Sequence, residues 1–131
     1  MDGRSYDAEL HIVHYNSRYS SPGEAFDMED GLAVLGMLIK IGKHHPEMDK
    51  ICKKLSEIQN PYEKTQLEEE IDIEKLLPED RSFFTYPGSL TTPPLYESVT
   101  WTLFSQPIEV SESQVPHLRK PILRLAPSWL Q

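Results

Sequence analysis

Hydrophobic and polar positions alternate along residues 8 to 15, AELHIVHY. In an extended strand, side chains two apart share a face, so Ala8, Leu10, Ile12 and His14 point one way and Glu9, His11, Val13 and Tyr15 the other. The apolar set Ala8, Leu10 and Ile12 marks the core side. The opposite face sets a carboxylate beside an imidazole beside a branched hydrophobe, where a merely wet face more often carries Lys, Thr or Ser. On periodicity alone, the ordinary reading of His11 is a solvated or hydrogen-bonded side chain. The sharper reading is a metal ligand whose second ring nitrogen is held by the carboxylate.

Further along, GLAVLGMLIKIG (31–42) is nearly continuous apolar sequence between two glycines. It predicts a strand buried on both faces, with a buried helix as the alternative, and a central strand needs a neighbour on each side. From Pro46 the period lengthens: Met48, Ile51, Cys52, Leu55 and Ile58 fall on one stripe, while Glu47, Lys50, Lys53, Lys54 and Glu57 cover the other. Pro46 suits the first helical position and Asn60 with Pro61 stops the run, so a covering helix is predicted. The preceding NSRYSSPGEAFDMEDG is dense in turn formers and reads as a surface connection.

Residues 62–80 are acidic, with a short apolar set of Ile71, Ile73, Leu76 and Leu77. The Glu68 to Glu70 run reads as a solvated face because no EF-hand spacing accompanies it. SFFTYPGSLTTPPLYESVTWTLFSQPIEV then gives a short aromatic strand, a Pro/Gly/Thr loop and two strands around Val99 to Phe104 and Ile108 to Val110. SESQ at 111–114 has capping-box spacing and predicts the start of a helix, limited by Pro116. Pro121 and Pro127 predict an irregular tail.

Length and composition narrow the classes. The 131 residues fit one domain, and 38% hydrophobic content is enough for a core. A formal net charge of -8 opposes binding to a phosphate backbone, and the only basic clusters are short ones such as Lys50 with Lys53 and Lys54, so no nucleic-acid partner is expected. The single cysteine, Cys52, excludes an internal disulfide and a Cys/His zinc cluster. No apolar run approaches the length of a membrane span, and MDGRSYD is too polar for a signal peptide. The expectation is a soluble, reduced chain.

The loop PGSLTTPP pairs two threonine hydroxyls with two prolines that preset φ, which stiffens a segment able to place a hydroxyl. By itself this is ordinary turn chemistry. Taken together, AELHIVHYN, DGLAVLG, TYPGSLTTPPLYESVTW and PIEVSESQ occur in this order and with similar separations in the α-class carbonic anhydrases. The chain resembles the C-terminal half of that family's catalytic domain over about residues 2–120. Residues 1–131 are therefore expected to form a partial domain with a divergent tail at 121–131. The fold class that the resemblance implies is mainly β with peripheral helices (α+β), built on a mostly antiparallel central sheet that is here incomplete.

The resemblance also implies roles. His11 matches the third of three histidines that bind zinc, and Glu9 the carboxylate that hydrogen-bonds its other nitrogen. Val13, Val34, Leu90 and Trp101 match the apolar wall that receives carbon dioxide. Thr91 matches the threonine that orients the zinc-bound hydroxide, and Thr92 its neighbour at the substrate site. The implied activity is reversible hydration of carbon dioxide to bicarbonate, with zinc supplying a hydroxide nucleophile at neutral pH.

In the family the other two ligands form an H-x-H pair on a strand that precedes the segment beginning at Met1, and the proton-shuttle histidine belongs to that half as well. The remaining histidines, His14, His44, His45 and His117, do not recreate H-x-H on a neighbouring strand. The chain alone is therefore expected to bind zinc weakly and to have negligible hydratase activity. The strand holding His11 is expected to leave an exposed sheet edge open to pairing with another chain. A non-catalytic carbonic-anhydrase-related binding module is the alternative, against which the joint retention of Glu9, His11, Thr91 and Thr92 weighs. Secreted relatives carry a cysteine where Leu95 stands, so a cytoplasmic location is expected.

Overall fold

A computed structural model describes residues 8–57, 65, 67, 69–89, 95–115 and 122–125. Its centre is a six-stranded open sheet. The strands are β1 (Ala8–Tyr15), β2 (Leu32–Ile41), β3 (Phe83–Gly88), β4 (Val99–Phe104), β5 (Ile108–Val110) and β6 (Ile122–Leu125), with helices α1 (Pro22–Ala25), α2 (Pro46–Leu55) and α3 (Ile73–Leu76). The spatial order is β3-β4-β2-β1-β6, and β5 also pairs with β2. The two longest ladders, β1 with β2 and β3 with β4, are antiparallel, whereas β4 and β5 on β2, and β6 on β1, are parallel. The expected class, mainly β with peripheral helices, is the observed one.

β2 occupies the middle because its sequence is apolar on both faces. Gly36 to Ile39 are all buried, with β1 along one side and β4 and β5 along the other. The core lies on one face, where Leu10, Ile12, Met37, Ile39, Phe104 and Val110 meet Met48, Ile51 and Cys52 of α2 and Leu76 of α3. Burial pushes the Cys52 thiol up to about 11, so it packs as a small hydrophobe. Among the described residues no helix is long and apolar enough to cross a membrane.

Two local expectations are corrected and one is met in part. The connection after β1 is not all loop: Ser21 caps α1 by accepting the Glu24 N–H at 3.2 Å, with Pro22 at the head of the helix. SESQ itself is a turn, 3₁₀ backbone begins at Val115, and the rest of the expected helix lies outside the described residues. The capping geometry is nevertheless present, because the Ser111 N–H donates to Gln114 Oε1 at 2.9 Å. The second correction concerns the tail. Its backbone forms β6 beside Glu9 to Ile12, so the edge of β1 expected to stand open is covered there. The sheet's outer strands are β3, with Phe83 and Phe84 more than half exposed, and β6. Leu55 ends α2 before the predicted stop, and Ile58, Asn60 and Pro61 lie outside the described residues.

The start of α2 carries a pH dependence. His45 is its N-cap, with Nδ1 accepting the Met48 N–H at 3.3 Å, which requires a neutral ring nitrogen. Burial holds the imidazole below its ordinary range. The unfolded chain therefore takes up the proton first, and stability falls as pH drops through about 6.5 toward the lower folded value. Between about pH 7.5 and 5.5 the melting temperature is expected to fall. His45→Asn, which keeps an acceptor at every pH in that window, should flatten this dependence in a thermal melt.

Candidate active site

The face of the sheet away from α2 and α3 carries the second half of the β1 pattern. Pairing sets Val13 opposite Val34 and Val34 beside Trp101, so three strands contribute one apolar row. One step along, His11 lies opposite Gly36. Leu32, Val34 and Val99 are buried on this face, with Val13, Tyr15, Phe26 and Trp101 packed against them.

His11 is only 4% exposed. Its Nε2 lies 3.0 Å from Glu9 Oε2, and the Glu9 side chain is partly exposed. A carboxylate accepts only, so the ring hydrogen sits on Nε2 and the basic lone pair on Nδ1. The imidazole meets the Trp101 ring edge-on, with centroids 4.9 Å apart and planes at 72°. The Glu9 and His11 geometry expected from strand alternation is therefore present, and Trp101 packs directly on the ring.

Two glycines shape this arrangement. A Cβ on Gly88 would lie 2.6 Å from Trp101 Cδ1, so the indole lies where any larger residue would stand. A Cβ on Gly36 would press to 3.2 Å of Leu103 Cδ1 and reach to 3.9 Å of His11 Cδ2. Trp101 Nε1 also donates to the Ser89 carbonyl at 3.1 Å, which ties the entrance of the following loop to the apolar row. A glycine closing an aromatic strand, YPG, was the available signal; its cross-strand partner was not readable. Leu90, Thr91 and Thr92 lie outside the described residues, as does His117.

The other described histidines stand apart from His11. His14 is exposed on the opposite face of β1, and His44 and His45 precede α2. Among the described residues no group of three or more His, Cys, Asp or Glu side chains could hold a metal ion. A tetrahedral zinc site with an open position takes three protein ligands. One carboxylate-oriented imidazole does not amount to that, so the described residues do not fit a complete zinc centre. They offer one buried, carboxylate-oriented imidazole beside an apolar row.

Comparison with known proteins gives this face its context. The eukaryotic-type carbonic anhydrase family matches over residues 1–125. Carbonic anhydrase 7 of Mus musculus is 44% identical over 120 residues, covering 91% of this chain and 45% of that protein. The chain thus spans about half the length of the curated relative it matches. The matched segment runs from the Glu9–His11 strand through the Trp101 strand and into β6, and the chain belongs to the eukaryotic-type carbonic anhydrase family.

Proposed function

We propose that this chain is part of a zinc-dependent carbonic anhydrase domain that hydrates carbon dioxide reversibly to bicarbonate. In this reading His11 is one metal ligand and Glu9 fixes its tautomer. Val13, Val34, Leu90 and Trp101 form the wall that receives carbon dioxide, and Thr91 and Thr92 supply hydroxyls at the substrate. The observation that carries it is the buried His11, held by Glu9 at Nε2 and packed on Trp101, within a chain of this family. A buried imidazole whose tautomer is set by a carboxylate is the arrangement of a metal ligand. The apolar row beside it suits a substrate with no dipole. By itself the polypeptide binds zinc weakly and turns over carbon dioxide negligibly, because one imidazole cannot replace three.

A chimera tests this reading. The chain is joined behind the part of mouse carbonic anhydrase 7 that has no counterpart here, and hydration is followed by stopped flow with zinc added. The chimera is expected to be active and its His11→Ala variant to lose about 10-fold or more, while the 131-residue chain alone stays near background. A folded, zinc-loaded chimera without turnover, or one zinc per chain with full turnover in the isolated polypeptide, overturns it.

A further inference from the structure

Away from the His11 face, the segment after β2 and the turn after β5 bring a second set of reactive side chains together. His44 Nε2 lies 2.7 Å from Asp49 Oδ2, and His44 Nδ1 lies 3.2 Å from Ser111 Oγ. The carboxylate fixes the hydrogen on Nε2, which leaves the Nδ1 lone pair facing the serine hydroxyl.

Gln114, buried, ties the segment after β2, Asp49 of α2 and Ser111 together in this relation. Its Nε2 donates to Asp49 Oδ1 and to the His45 carbonyl, each at 2.8 Å. Its Oε1 accepts the His45 N–H at 3.1 Å and the Ser111 N–H at 2.9 Å. Those two bonds fill both Oε1 lone pairs, so the longer 3.3 Å approach of Ser111 Oγ to Oε1 competes poorly for the hydroxyl hydrogen. Ser113 Oγ, 3.0 Å from Ser111 Oγ, is able to donate to it and leave its hydrogen directed at His44. The side chains of His44 and Asp49 are half exposed, so a small reagent can reach them.

We propose that Ser111, His44 and Asp49 form an acyl-accepting relay, with Ser111 as nucleophile, His44 as its base and Asp49 orienting the base. Both distances fall in the hydrogen-bonding range that marks an activated nucleophile. The substrate class is an activated ester of a short carboxylic acid. As Oγ bonds to the acyl carbon, its proton passes to Nδ1; the ester C–O bond breaks, and the departing alkoxide takes the proton from the imidazolium. Water then repeats the sequence on the acyl-serine, releasing the acid and restoring the hydroxyl. None of these steps uses a metal or the His11 face.

The test treats the full 131-residue chain with p-nitrophenyl acetate and, separately, with a fluorophosphonate, before and after chelation, and locates the adduct by peptide mass mapping. The expected result is modification of Ser111, unchanged by chelation, absent in Ser111→Ala and at least about tenfold slower in His44→Gln. Asp49→Asn, which keeps the side-chain shape but removes the charge, should slow it as well, with circular dichroism confirming that each variant is folded. No adduct on Ser111, loss of the adduct on chelation, or an unchanged rate in folded His44→Gln and Asp49→Asn overturns the proposal.

Discussion

Replacing Leu10 with alanine is expected to lower the unfolding free energy by about 2–5 kcal/mol, read from the shift of the urea midpoint at constant slope. Leu10 is fully buried in β1. It pairs with Met37 on one side and with Leu123 on the other, and its side chain enters the cluster that α2 and α3 cover. How far the flexible Met37 and Met48 side chains of the same cluster fill the space sets where in that range the cost falls. Set against a usual total of about 5–15 kcal/mol, this removes a large share of the stability of a small domain. Leu10→Met, which nearly conserves volume, should cost less than about 1.5 kcal/mol. Equal midpoints for the two variants would place Leu10 outside the core and reverse the two faces of β1.

Gly31→Ala is the second substitution expected to act strongly, through steric overlap. The added methyl would overlap the Ala25 carbonyl, lying 2.7 Å from its carbon and 3.0 Å from the Met28 oxygen. All of these atoms are backbone, so no rotamer change relieves them. The Gly31 N–H donates to Met28 at 2.9 Å and its carbonyl accepts the Asn16 N–H at 2.8 Å, so the segment is tied on both sides. At a permissive position Gly→Ala stabilises by about 0.4–1 kcal/mol. Here the sign reverses, with a loss of about 1–3 kcal/mol from overpacking. Because β2 begins at the next residue and carries Val34, the fluorescence of Trp101 beside it should shift as well. An unchanged urea midpoint would show that α1 can move away from β2 freely.

The elements that the sequence revealed are those whose pattern stays within one segment. β1 alternates, β2 is apolar throughout, α2 opens on Pro46 with a stripe at helical spacing, and the bounds of β4 and β5 match those read from the sequence. α1 escaped because a four-residue helix is too short to show a period, and its Ser-Pro start is also a turn signal. β6 escaped for a related reason. Pro121 and Pro127 are breaker signals in the tail, yet they lie either side of ILRL, and proline near the end of a strand is compatible with pairing inside it. At the candidate site, alternation placed Glu9 beside His11. The contact with Trp101 depends on register across three strands and on the missing side chain at Gly88, which no single segment encodes.

The pairing of β1 with β6 has a consequence for biosynthesis. These neighbours lie far apart in the sequence, so the ribosome delivers one long before the other. While translation continues, β1 can gain its β2 partner but must wait for β6, leaving a sticky flank that a chaperone or another nascent chain can occupy. The pairing of β1 is thus complete only once β6 has emerged, and the yield in a cell depends on how well that interval is protected.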